Sequence, residues 1–219
     1  MFSYCTAGTV LLGQIVQRAV GEPVDRYIER RLLAPLGITR FEWPRSPIGE
    51  VMTGGGLRLR SRDLVRLGLL VLDEGVWNGK RILPKRWFRQ ALQARRRVDE
   101  TTEYGYLFWR RDYRVPSGAP TFRAGPGSPT SLRPDPGVKR ESAAPGSVSA
   151  APGTRATPTA LATPGTVSGW YMSGNGGNVV LAVPKHRLVV VVTRVHYNSP
   201  RMHQQTTALI EDHVLAALR

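Results

Sequence analysis

An α+β fold is expected from two features of the chain: antiparallel strands near its end, and helical patterning in its first hundred residues and last twenty. Asn178-Val-Val-Leu-Ala-Val183 and Leu188-Val-Val-Val-Val-Thr193 are rich in β-branched residues, with Pro184-Lys185-His186 between them. That pattern reads as a hairpin. A third short strand, Trp170–Ser173, leads into it through a corner holding Gly174, Gly176 and Gly177. Glycines there let the backbone turn sharply or let a ligand approach, and Asn175 sits among them. The corner fits the wall of an active site as well as it fits a simple bend.

The helices follow in order. Val10, Leu11, Ile15, Val16 and Ala19 have helical spacing over Val10–Val20, with Gly21 placed to close the helix in a left-handed conformation. Pro23 opens a second helix with Val24, Tyr27, Ile28 and Leu32 on one face, ending near Pro35-Leu36-Gly37. After the Gly54-Gly55-Gly56 turn, Ser61 is expected to cap a third helix. Asp63 lies in its first turn, Leu64, Leu67, Leu70 and Val71 form its inner face, and Gly75 ends it. Trp77-Asn78-Gly79-Lys80 is a turn, and Pro84 starts a fourth helix reaching about Ala94. Tyr104-Gly-Tyr-Leu-Phe-Trp109 reads as a strand with aromatic packing. A final amphipathic helix is expected over about Arg201–Leu218, with Met202, Leu209, Ile210, Val214 and Leu218 apolar.

Between these parts the composition changes abruptly. From Pro116 to Ser168, Ala-Gly-Pro-Gly, Ala-Ala-Pro-Gly and Ala-Thr-Pro-Gly recur with few large apolar residues. Such a stretch cannot bury enough surface to offset its ordering entropy and is expected to be disordered. The organisation is then 1–115 as a helical region with one strand, 116–168 as an insertion or linker, and 169–219 as strands and a closing helix.

A net charge of +15 raises the question of nucleic acid. The arginines are scattered, and the one dense run, Arg95-Arg96-Arg97, is followed by Asp99, Glu100 and Glu103. No zinc-finger spacing or RNA-recognition aromatic motif is present, so no specific nucleic-acid partner is expected. Segment 116–168 carries five basic against two acidic residues, so most of the excess charge lies elsewhere. Cys5 is the lone cysteine, which excludes an intrachain disulfide and reads as a half-buried thiol. His186, His196, His203 and His213 show no metal-ligand spacing, and neither a metal nor a cofactor is expected. The sequence shows no signal peptide and no apolar run long enough to span a bilayer, and it does not indicate a compartment.

Several segments, in this order, resemble the serine hydrolases related to class C β-lactamases, DD-peptidases and the esterases built on that scaffold. Phe2-Ser-Tyr-Cys-Thr-Ala-Gly-Thr-Val-Leu-Leu-Gly13 is similar to the family's Tyr-x-Asn segment and following helix. Pro23–Gly37 resembles the next helix, and Gly54–Gly68 the glycine turn with the helix behind it. Tyr104–Trp109 and Ser173–Gly177 resemble the late strands. The resemblance implies acyl transfer, in which a Ser-x-x-Lys serine attacks a carbonyl with a tyrosine as general base and backbone amides hold the oxyanion.

On that resemblance Tyr4 is the general base. Thr6 stands where the family has asparagine, and Asn175-Gly176-Gly177 stands in the third, substrate-positioning motif. Thr6 has a shorter polar reach than asparagine, and neutral Asn175 supplies no positive charge. That weakens the case for a carboxylate-bearing substrate such as a β-lactam and leans towards an esterase-like or unassigned hydrolase. No serine in the chain is followed three places later by lysine, so the nucleophile is absent from it. A phenol with an ordinary pKa of about 10 is a poor base at neutral pH without a neighbouring cation.

The expectation is therefore a fragment of a β-lactamase-like hydrolase, inactive alone, whose parent takes a small ester, amide or β-lactam-like substrate. A non-catalytic remnant or binding module on the same scaffold is the alternative, and a basic nucleic-acid binder a weaker one. Segment 116–168 fits either a tolerated insertion between neighbouring strands or non-native sequence. Trp109 and Trp170 either line a pocket or pack the sheet. An unpaired sheet edge is expected beside Leu188–Thr193 or Trp170–Ser173.

Overall fold

The computed structural model describes residues 2–116 and 165–218, so the greater part of the 116–168 segment lies outside the described residues. Helix α1 spans Thr6–Val20, and α2, Val24–Ile28, runs into a π-helical turn over Glu29–Leu33. Two-residue strands β1 (Phe41–Glu42) and β2 (Arg58–Leu59) pair antiparallel, followed by α3 (Ser61–Leu72). Strands β3 (Val76–Trp77) and β4 (Lys80–Arg81) form a tight hairpin. Asn78 and Gly79 both have positive φ, as a type I′ turn demands. Helix α4 is Lys85–Ala91, with Pro84 just before its first turn rather than within it.

The main sheet comprises β5 (Arg96–Arg97), β6 (Thr102–Tyr104), β7 (Trp109–Arg114), β8 (Thr166–Gly174), β9 (Asn178–Val183) and β10 (Leu188–Val192). Every neighbouring pair is antiparallel, in simple sequence order, with β5 and β10 at the edges. Of the two edges expected, β10 is open among the described residues, whereas Trp170–Ser173 lies inside the sheet. Strands β7 and β8 pair directly across the long connection. Strand β8 also starts three residues inside the stretch expected to be disordered, because Val167 is fully buried in the core.

Alternation along the strands builds two cores. Tyr113, Val167, Val179, Leu181, Val183 and Val190 pack under Ile210 and Leu215 of the closing helical segment. On the other face, Ala182 and Met172 meet Leu70 and Val71 of α3, Phe88 of α4, and Leu33, Leu36 and Ile38. A side chain at Gly68 would strike Val189 and Val180, so that glycine sets how closely α3 lies on the sheet. The closing segment is α5 (Met202–Leu209), a π-turn over Ile210–Val214 and a short 3-10 turn. Among its expected apolar positions Ile210 is buried but Leu209 is exposed, because the π-turn rotates the inner face towards Leu215.

Three further local expectations are corrected. Tyr104–Trp109 is not one strand: β6 ends at Tyr104, β7 starts at Trp109, and Gly105–Phe108 form the turn between them. A side chain at Gly105 would lie 2.3 Å from the Ala91 carbonyl oxygen, so the chain bends where it docks on the end of α4. Ser61 is the first helical residue of α3, not its cap; Arg60 holds the cap position without a side-chain cap bond. Cys5 is exposed rather than half-buried, standing just before α1. The apolar residues of α1 mark a helix but not an inner face, since Leu11, Ile15 and Val16 are exposed.

Candidate active site

Tyr4 lies in extended chain two residues before α1, with 48% of its surface open. Its ring meets Tyr104 edge-on at 6.3 Å and tilts against Trp109 at 5.8 Å. Phe2 packs on the same two rings at 5.1 and 5.7 Å. Tyr104, Trp109 and Tyr171 are direct cross-strand partners, so they share one face of the sheet. Trp109 stacks on Tyr171 at 6.3 Å. Trp109 therefore both packs the sheet and touches the candidate base. Burial pushes the Tyr104 hydroxyl above its ordinary pKa, with the neighbouring Tyr4 adding to the rise. Tyr171 is raised by burial too, against the pull of Arg111.

Thr6 is the first residue of α1, and its methyl carbon packs where a side chain at Gly54 would otherwise stand, 2.8 Å from that position. The next contact in the same seam is Thr53, whose hydroxyl donates to the Thr9 carbonyl at 3.0 Å. The glycine turn thereby fixes the start of α1 and the chain entering it from Tyr4. Thr6 and the 53–56 turn, about fifty residues apart in sequence, form one assembly, with Tyr4 two residues before Thr6.

Asn175, Gly176 and Gly177 form the β8–β9 turn, with positive φ at both glycines. Their partners come from the 194–206 segment. The Asn175 amide nitrogen donates to Asn198 Oδ1 at 2.7 Å, while its own Oδ1 accepts from the Asn198 backbone N–H at 2.9 Å. A side chain at Gly176 would meet the Tyr197 ring at 3.0 Å, and the Gly176 N–H points to the Met202 sulfur at 3.2 Å. The buried Thr206 hydroxyl donates to the Gly177 carbonyl at 2.8 Å. Asn178 continues the mesh, accepting from the Arg194 N–H at 3.0 Å.

Two clusters thus emerge from the expected site residues: Tyr4 and Thr6 with the β6–β7 aromatics, and Asn175–Gly177 with the segment leading to α5. Strand β8 joins them, because Tyr171 of the aromatic ladder lies four residues before Asn175. Sequence reasoning missed Phe2, Tyr104 and Asn198 as neighbours of these residues. A positive φ at Asn198 belongs to a residue type that tolerates it, and Asn198-Ser199-Pro200 was the available signal for a fixed turn. No group of three or more His, Cys, Asp or Glu able to hold a metal occurs among the described residues. No described helix is long and apolar enough to cross a membrane.

The 6-aminohexanoate-dimer hydrolase of Paenarthrobacter ureafaciens is 32% identical over 106 residues, covering 47% of this chain and 26% of that protein. A solved structure, the putative 6-aminohexanoate-dimer hydrolase from Bacillus anthracis, superposes with a TM-score of 0.57 at 17% identity. That superposition covers 96% of this chain and 45% of the other, so the chain spans less than half the length of either relative. The beta-lactamase family model matches residues 1–214. With that match over nearly its whole length, and with an antiparallel sheet flanked by helices, the chain belongs to the beta-lactamase family of hydrolases.

Proposed function

We propose that this chain supplies the general-base and β8–β9 corner portion of an acyl hydrolase acting on small esters or amides through an acyl-enzyme. In that reading the chain is inactive by itself. The reaction needs a serine hydroxyl that attacks the carbonyl and passes its proton to a base. The leaving alcohol or amine then takes up a proton, and water releases the acyl group. Tyr4 is the residue offered for the base. The observation that carries this reading is its half-open ring, held by Tyr104 and Trp109 at the entry to a helix fixed by the glycine turn.

The nucleophile is a different matter. No Ser-x-x-Lys occurs within the 219 residues, and catalytic groups that act as a unit lose nearly everything when the nucleophile is removed. The relatives' printed names support an amide substrate, and neutral Asn175 supports one that needs no cation at that corner.

The test is to incubate the purified 219-residue polypeptide with a fluorophosphonate probe, p-nitrophenyl butyrate and 6-aminohexanoate dimer. No labelling and no turnover above buffer are expected. A stoichiometric adduct on one hydroxyl would refute the reading of inactivity. Supplied with a Ser-x-x-Lys-bearing segment of a relative, the chain should gain activity that Tyr4→Phe removes; activity indifferent to Tyr4→Phe would refute its role as base.

One observation favours the second reading, a non-catalytic binding module. The Asn175 side chain and the Gly176 N–H are both engaged internally, by Asn198 and Met202. If the module reading holds, 6-aminohexanoate dimer binds without hydrolysis even when a nucleophile segment is supplied.

A further inference from the structure

We propose that the shelf formed by α4 and the β6–β7 turn is a docking surface for an anionic lipid surface. Trp87 of α4 and Tyr106 of the turn are both exposed and stack at 6.1 Å with their planes 29° apart. The Arg95 guanidinium lies 4.2 Å over the Tyr106 ring. The backbone builds this arrangement: the Tyr106 N–H donates to the Ala91 carbonyl at 3.0 Å, and Gly105 fits under the end of α4. Beside Trp87 a shallow cavity of about 310 Å³ is lined by Leu83, Pro84, Arg86, Trp87 and Gln90.

Two features go beyond an ordinary solvated face. Leu107, at the tip of the turn, is exposed and has φ of 61°, a left-handed conformation that is costly for a bulky residue. The strain presents an apolar side chain to the outside next to two exposed rings. Arg86 lines the cavity beside Trp87, and Arg95, over the Tyr106 ring, also donates to the Gln90 carbonyl at 3.4 Å. Both are exposed, as are Arg89 of α4 and Arg96 of β5, and none of the four is ion-paired to a carboxylate among the described residues. Of the acidic groups on these elements, Glu100 is exposed at the β5–β6 turn, and the others are engaged. Glu74 is paired with Lys85 at 2.7 Å, Glu103 with Arg110, and Asp99 holds Thr101 at the β5–β6 turn.

Apolar tip, amphipathic rings and guanidinium groups without a carboxylate partner together match a bilayer interface. There rings and apolar tips enter the headgroup layer while arginines meet lipid phosphates. A single-stranded nucleic acid fits less well. It would need open ring faces for base stacking, but Tyr106 is already engaged by Trp87 and Arg95, and Leu107 offers a base nothing.

The experiment is co-sedimentation of the 219-residue chain with vesicles of phosphatidylcholine alone or of phosphatidylcholine and phosphatidylglycerol at 3:1. Binding is expected only to the anionic vesicles, weakening as salt rises. Arg86→Gln with Arg95→Gln should weaken it roughly 30-fold, at about 1 kcal/mol per arginine near the surface. Arg18→Gln with Arg31→Gln, an equal loss of charge on other exposed positions, should change it little. Leu107→Asn and Trp87→Ala keep the charge and should each weaken binding. Trp87→Phe should remove tryptophan quenching by brominated lipid while leaving the fold intact by circular dichroism. Equal losses in the two arginine pairs, no effect of the charge-preserving variants, or quenching that survives Trp87→Phe each overturns the proposal. So does an oligothymidylate bound more tightly than the vesicles and lost in the same variants, which would assign the shelf to nucleic acid.

Discussion

A β-carbon at Gly13 would lie 2.1 Å from the hydroxyl oxygen of Thr53, so these two residues define how closely α1 rests on the glycine turn. The Thr53 hydroxyl in turn reaches the carbonyls of Thr9 and Val10, at 3.0 and 3.4 Å. Gly13→Ala improves helix propensity yet forces these groups apart, and overpacking outweighs propensity here. The variant should unfold at lower urea, by about 1–3 kcal/mol. Thr53→Ala added to it should recover part of the loss, because the clash partner is gone. A Gly13→Ala protein as stable as wild type would show that α1 does not sit on this turn.

Alkaline sensitivity follows from the tyrosines. Tyr113 is buried in the sheet core, and burial raises its pKa well beyond the ordinary range, with Tyr171 adding to the rise. Tyr104 and Tyr171 are raised as well. The fold therefore holds protons that the unfolded chain releases above about pH 10. This contribution to stability is complete below the unfolded pKa and is lost as pH rises towards the folded value. Urea midpoints should fall as pH rises above about 10, and less steeply in Tyr113→Phe. Identical alkaline slopes in the two proteins would remove Tyr113 from the account.

The N-terminus of α3 shows where side-chain stability resides. Asp63 is fully buried, accepting from Arg60 Nε at 2.7 Å, Arg60 Nη2 at 3.3 Å and Arg66 Nη1 at 3.1 Å, while Arg66 also donates to the Gly37 carbonyl at 2.6 Å. Asp63→Asn keeps the shape but weakens three charge-assisted bonds, at a cost of roughly 1–3 kcal/mol. Ser61→Ala should stay within about 0.5 kcal/mol, against the ~1 kcal/mol expected had it been the cap. Urea titration of both variants distinguishes the assignments.

Legibility in the sequence followed the range of the interactions. The 178–192 hairpin, α3 and the Asn78-Gly79 turn rest on local patterning, and all were readable. The 104–109 stretch was misread because its aromatic run is consistent with a strand. The bend is dictated by Ala91, fourteen residues before Gly105. Helical spacing in α1 disclosed the helix but not what it faces. The sequence offered Tyr4 as a candidate through resemblance, and the glycine corner through its own composition. Its surroundings were not, since Asn175 is held by Asn198 and Tyr4 by Tyr104 and Trp109, contacts that no local pattern encodes.

The β8–β9 corner allows strain to be separated from close approach. Gly177 has φ of 82°, and a side chain there would lie 2.9 Å from Thr206 Oγ1 and 3.0 Å from the Met202 carbonyl oxygen. Gly21, at φ of 73°, has open space around it. Gly21→Ala therefore bears only the left-handed backbone cost, about 1 kcal/mol. Gly177→Ala bears that cost and also pushes away the hydroxyl that hydrogen-bonds the Gly177 carbonyl, for a total of about 2–4 kcal/mol. Its damage should be local first. Amide exchange in α5 should quicken before the β9–β10 hairpin loosens, because Thr206 ties that helix to the corner. Equal effects at the two glycines would mean that α5 is not anchored through Thr206, and the contacts that hold Asn175 in its present orientation would lose their support.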